Sequence, residues 1–140
     1  MIDPALREAW DHMFRIVMGE RDAFVGAAAK LRLTPSQAHL LLSLDPKEER
    51  PMSALAGALA CDPSNVTGIV DRLEARGLIR RRASTEDRRV KRLALTSRGE
   101  RLRARLMDRM VPPAGLGNLS ATELQRLCSM LRVARGMSRA

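Results

Sequence analysis

Residues 62–96 read DPSNVTGIVDRLEARGLIRRRASTEDRRVKRLALT, and two patterns of different period meet inside them at Gly77. Before the glycine, Val66, Ile69, Val70 and Leu73 recur at spacings of three and one, so they share one face of a helix turning about 100° per residue. Asp62-Pro63 opens that helix, and Gly77 suits the left-handed cap that ends it. After the glycine, Leu78 to Ala83 and Val90 to Leu95 are two short strand-forming runs. The polar stretch Ser84-Thr85-Glu86-Asp87 between them makes a hairpin. Upstream, Met52-Ser53 is a staple and cap for a short helix from Ala54 to Ala60, so residues 53–77 hold two helices joined by a tight turn.

Working outward, Thr34-Pro35-Ser36-Gln37 forms a capping box with proline in the first turn, opening a helix that ends near Asp45-Pro46. From Pro4 to about Leu31, apolar residues recur at Leu6, Trp10, Met13, Val17, Phe24, Ala28 and Leu31, which predicts one long amphipathic helix. Phe14, Ile16 and Met18 broaden its apolar surface, and a surface so broad suggests a partner subunit. Beyond the hairpin, Thr96 or Ser97 caps a helix striped by Leu102, Leu106 and Met110, which Pro112-Pro113 ends. A loop runs to Asn118. Ser120 and Glu123 then box a last helix with a narrow seam of Leu124, Leu127, Leu131 and Ala134, beside which Cys128 is expected in the core. The fold class is mainly α with a small β-hairpin wing (α+β), a winged helix-turn-helix flanked by terminal helices.

The 140 residues fit one compact domain with a helical extension. Lysine and arginine total 25 against 16 acids, a net charge of +9 that implies a polyanionic partner, and only Lys30, Lys47 and Lys91 are lysines. Arg80, Arg81, Arg82, Arg88, Arg89, Lys91 and Arg92 crowd the hairpin against only Glu86 and Asp87. Their mutual repulsion is relieved by a phosphate backbone, and an arginine at the tip suits a narrow minor groove. Opposite the apolar face of the 62–76 helix lie Ser64, Gly68, Asp71 and Ala75, flanked by Asn65, Thr67 and Arg72. Small, hydrogen-bonding side chains on an exposed face suit insertion into the major groove. Asp71 is the exception, since phosphates repel a carboxylate unless it pairs with an arginine or accepts from a cytosine amino group.

Other classes find less support. There is no phosphate-cradling glycine motif, no HExxH and no nucleophile elbow, so the chain is expected not to be an enzyme and to need no cofactor. Cys61 and Cys128 are too few for a disulfide framework or a metal site. No run approaches the roughly 20 apolar residues of a membrane span, and no signal pattern opens the chain, so a cytoplasmic location is expected. Aromatic residues make up 2% of the chain, leaving few platforms for stacking RNA bases. A nonspecific architectural DNA-binding protein remains an alternative, for which charge alone would suffice.

The run Asp87-Arg88-Arg89-Val90-Lys91-Arg92-Leu93-Ala94-Leu95-Thr96 resembles the D-x-R-x-x-x-x-x-L-T wing signature of MarR-type regulators, and Asp62 to Thr67 and Val70 to Ile79 resemble that family's recognition helix and its exit. The resemblance implies a homodimeric repressor of a pseudo-palindromic operator. Residues 1–33 and 112–140 would form the dimerisation region, and residues 34–111 the DNA-binding region, with a recognition helix at about 63–76 and a wing at about 78–96. It further implies that Asp87 and Arg89 stabilise the wing while an arginine, Arg89 first and Arg88 second, enters the minor groove. Arg81, Arg82 and Lys91 complete the expected wing contacts. Gly68 stands where many relatives carry a longer side chain, which shifts base readout toward Ser64, Asn65, Thr67 and Arg72. Many relatives release DNA when a small aromatic effector binds, and Trp10, Phe14 and His39 are the candidates for such a pocket. Some relatives sense oxidants, a role for which Cys61 beside the positive end of the recognition helix is the candidate, although the favoured reading of Cys61 is a small buried residue in the turn.

Overall fold

A computed structural model describes residues 2–59, 63–110 and 112–136. In chain order the elements are α1 (Pro4–Gly19), α2 (Arg21–Lys30), α3 (Pro35–Ser43), β1 (Arg50–Pro51), α4 (Met52–Leu59), α5 (Pro63–Ala75), β2 (Ile79–Ala83), β3 (Lys91–Leu95), α6 (Ser97–Arg109), a 3-10 turn (Ala114–Asn118) and α7 (Ala121–Ala134). Two compact units result, residues 21–110 and the two ends of the chain.

The long first helix expected from Pro4 to Leu31 is divided. Gly19 ends α1, Glu20 leaves the helix with its N–H on the Ile16 carbonyl at 3.2 Å, and α2 begins at Arg21. Glycine exposes backbone and gains least from helix formation, so the break falls where the apolar pattern alone would have run on. α2 then buries Ala27 and Ala28 and packs on α3 and α6 within the larger unit. The chain turns into α3 through Arg32, at φ 56°, and the Thr34–Gln37 capping box forms as its residue types dictate.

The core of residues 21–110 gathers Leu40 and Leu41 from α3 and Leu44 just after it, Leu55 from α4, Val66, Val70 and Leu73 from α5, and Leu106 from α6, all essentially without solvent contact. Each such side chain contributes about 1.5–3 kcal/mol by its removal from water. The sheet is antiparallel in the order β1-β3-β2, with Ile79 opposite Leu95 and Arg81 opposite Leu93. β1 is only two residues long, and its pairing of Arg50 with Leu93 leaves no periodicity in the sequence to detect. Gly77, at φ 67°, ends α5 in the left-handed conformation that its place in the sequence predicts.

α6 leaves the sheet under tight constraint. Thr96 caps it, its hydroxyl accepting from the Gly99 N–H at 3.0 Å and donating to the Gly77 carbonyl at 2.6 Å, while its own N–H donates to the Leu78 carbonyl at 3.1 Å. Thr96→Val keeps the shape and removes the hydroxyl, and should cost about 1 kcal/mol in urea unfolding. An unchanged midpoint would mean the cap contributes nothing.

In the other unit, neither α1 nor α7 buries a residue. Leu6, Trp10, Phe14 and Val17 are all more than half exposed along α1, and Met130 is so on α7. Cys128, expected in the core, is exposed because α7 itself has no buried face. Ser120 caps α7, and its N–H and hydroxyl donate to the Glu123 carboxylate at 2.8 and 2.7 Å. Those hydrogen bonds hold the Glu123 pKa below the usual carboxylate value. The box is therefore fully charged above that usual value, and its contribution fades as pH falls through the lowered one. No helix of the described residues is long and apolar enough to cross a membrane.

Candidate nucleic-acid interface

α5 divides as its wheel requires. Val66, Val70 and Leu73 are buried and Ile69 packs against them, whereas Asn65, Thr67, Asp71, Arg72 and Ala75 are exposed. Gly68 is half-buried beside them, and a Cβ added there would meet nothing within 4 Å. Ser64 falls in the first turn of α5, and its side chain lies outside the described residues, as does Cys61 altogether. The helix is anchored at its far end by Arg76, whose guanidinium donates to the carbonyls of Arg32 at 2.8 Å and Leu31 at 3.4 Å.

The hairpin tip is a β-turn over Asp87–Val90, closed by the Val90 N–H on the Asp87 carbonyl at 3.0 Å. Arg88 and Arg89 fill its two central positions, both exposed. Asp87 acts on backbone: its carboxylate accepts from the Arg89 N–H at 2.9 Å, the Asx arrangement that suits aspartate at the first position of such a turn. No ion pair joins Asp87 to the Arg89 guanidinium among the described residues, so the expected acid–arginine clasp is an acid–amide clasp. Ser84 supports the turn from inside, buried, its N–H on the Val90 carbonyl at 2.9 Å and its hydroxyl accepting from the Glu86 N–H at 3.3 Å.

The seven hairpin cations fall into groups. Arg80, Arg88, Arg89 and Lys91 are exposed and make no side-chain ion pair or hydrogen bond among the described residues. Arg82 stands opposite Arg92 across the strands, a like-charge pair that costs stability by itself. Glu49 offsets it, with a carboxylate oxygen 3.6 Å from Arg82 and its carbonyl accepting from Arg92 at 3.2 Å.

Arg81, placed with the wing's DNA contacts on sequence grounds, has its guanidinium forked between Asp71 and Glu74 of α5, while its backbone N–H donates to Glu74 at 3.0 Å. Its side chain is only 25% exposed. Burial works against the Arg81 charge, but the hydrogen bonds to Asp71 and Glu74 outweigh it and raise the pKa above the ordinary guanidinium value. This pairing gives Asp71 its role: the carboxylate is held by an arginine of the hairpin. Strand alternation carries the missed signal, since Arg81 lies two residues after buried Ile79 and so on the inward face. Asp71 and Glu74, three apart on one helix face, complete it.

Trp10 and Phe14 are exposed on α1, and His39 is exposed on α3 in the other unit.

These features have counterparts in known proteins. The MarR family model matches residues 33–91. Over 102 residues the chain is 32% identical to the organic hydroperoxide resistance transcriptional regulator of Bacillus subtilis, a match covering 73% of this chain and 69% of that one. The chain belongs to the MarR family. A second relative, the HTH-type transcriptional repressor MdtR of B. subtilis, is 41% identical over 71 residues, which are 51% of this chain and 46% of MdtR. The match thus spans about half the length of that relative. Among solved structures, the transcriptional repressor CouR bound to a 23-mer DNA duplex superposes with a TM-score of 0.62 at 29% identity, covering 96% of this chain and 98% of CouR. The winged helix-turn-helix is thereby the fold of this MarR-family chain.

Proposed function

We propose that the protein is a transcriptional repressor that binds double-stranded DNA at a specific pseudo-palindromic operator as a homodimer in the cytoplasm, without catalytic activity. The observation that carries this reading is the free cationic tip, Arg88, Arg89 and Lys91, held at a fixed setting beside the exposed face of α5 by the Arg81 fork. Asn65, Thr67 and Arg72, with Ser64 beside them and Gly68 allowing close approach, read base edges in the major groove. The tip follows phosphates and the adjoining minor groove. The relative CouR has been solved on a DNA duplex, which favours the same use of the fold here.

Dimerisation through residues 1–33 and 112–140 is supported by the uncovered apolar side chains of α1 and α7. A dimer presents two recognition helices to half-sites about one helical turn, or roughly 10 base pairs, apart. A small aromatic effector acting through Trp10, Phe14 or His39 remains part of the proposal, as does oxidant sensing by Cys61.

Selecting bound fragments from a pool of random or genomic DNA tests the reading. The preferred site should bind roughly 10³-fold or more tighter than random duplex at fixed salt. A ratio near one would identify an architectural protein instead.

Arg81→Met supplies a second test, because it leaves Asp71 and Glu74 as free carboxylates facing phosphate. DNA affinity should fall roughly tenfold by fluorescence anisotropy. Adding Asp71→Asn and Glu74→Gln should restore part of it. A triple variant no better than Arg81→Met alone would show that bracing, not charge masking, is what the fork supplies.

A further inference from the structure

A second concentration of positive charge lies away from the hairpin tip. The end of α2, the end of α5 and the first half of α6 converge on a cleft of about 420 Å³. Lys30 and Arg32 enter it from the α2–α3 turn, Arg76 from the last turn of α5, and Arg98, Arg101 and Arg105 from one stripe of α6. No acidic side chain lines it, and none of the six cations takes part in an ion pair among the described residues. Leu31, Leu78 and Leu102 line the rest, and Leu31 and Leu78 are buried.

Physical chemistry makes this arrangement costly when empty. Arg101 and Arg105 are four residues apart on one helix, and Arg98 precedes Arg101 by three, so each repels the next. Five of the six are exposed and Arg76 is half-buried, so water screens part of this repulsion and a bound polyanion would relieve the rest. Exposed arginines on a convex helix could splay apart, whereas these line a concave space from three separate elements. Arg76 is already fixed by its two backbone carbonyls, which leaves its other N–H groups preset.

We propose that this cleft is a binding site for a small oligophosphate. Its volume lies in the range of small-molecule sites, roughly 300–1,000 Å³. A single carboxylate or sulfate would neutralise few of the six cations. A short chain of phosphate groups carries several charges and directs oxygens toward all three walls, matching guanidinium forks from each. The proposal stands whether or not the chain proves to be an operator-specific repressor.

The test is calorimetric titration of the full chain with sodium tripolyphosphate at constant ionic strength. One saturable site per chain is expected, weakened about tenfold or more in Arg101→Ala/Arg105→Ala and changed less than about twofold in Arg88→Ala/Arg89→Ala. Both pairs are exposed, and unchanged melting temperatures will show that each variant folds. Equal weakening in the two variants, or none in the first, overturns the site. The remaining source of phosphate is the DNA backbone. If Arg101→Ala/Arg105→Ala alone lowers the salt slope of DNA binding by about two, these cations serve the duplex and the proposal fails.

Discussion

Gly99→Ala should destabilise the unit of residues 21–110 by about 3 kcal/mol or more, at the upper end of what overpacking costs. A Cβ at Gly99 would run into the Leu78 carbonyl oxygen and lie 2.9 Å from its carbon, with the Leu95 side chain at 3.3 Å. The obstacle is backbone, so no rotamer change can absorb it. That same oxygen accepts from the Thr96 N–H, and Thr96 in turn caps α6, so moving Leu78 disturbs the junction of hairpin and helix together. Gly68→Ala is the matched control: its Cβ meets nothing within 4 Å, and relief of glycine's helix penalty should raise stability by up to about 1 kcal/mol. Urea unfolding followed by circular dichroism measures both. A Gly99→Ala protein within about 1 kcal/mol of the parent would mean that α6 does not cross Leu78 this closely.

The second large effect is on DNA. Arg88→Ala/Arg89→Ala removes both central residues of the tip turn while leaving Asp87 to hold the backbone through the residue 89 amide. Folding should be unaffected, since neither side chain has a partner among the described residues and both are exposed. Affinity for the selected operator should fall about ten- to a hundredfold near 0.1 M salt, and the slope of log affinity against log salt should lessen by about two. Asn65→Ala, by contrast, should change which bases are preferred while leaving that slope nearly intact. Wild-type affinity and slope in the double variant would remove the tip from the interface.

The order of elements was legible because its signals are local. Thr34 with Gln37, Ser120 with Glu123, Gly77 after Leu73 and the strand-forming runs on either side of Ser84 each follow from residue types a few positions apart. Four features were not legible for the opposite reason. β1 exists only through its pairing with β3, which no property of Arg50-Pro51 announces. The break at Gly19-Glu20 lies inside an unbroken apolar stripe, where a single glycine is a weak signal. The fork of Arg81 depends on which face of β2 meets α5, and charge counting along the hairpin treats every arginine alike. Strand parity from Ile79 would have separated Arg81 from Arg80 and Arg82. The clustering of Arg76, Arg98 and Arg105 crosses 30 residues of sequence and required the folded chain.

The Arg81 fork has a mechanical corollary. Two carboxylates on a rod and one guanidinium on a ribbon tie the two limbs together, so swinging them apart to meet a duplex of different groove offset would cost the fork. On the proposed reading as a DNA-binding repressor, part of the deformation would then fall to the nucleic acid. Torsion in the template, whether set by supercoiling or by stiff and pliant base steps between the two points of attachment, becomes a quantity to which occupancy responds.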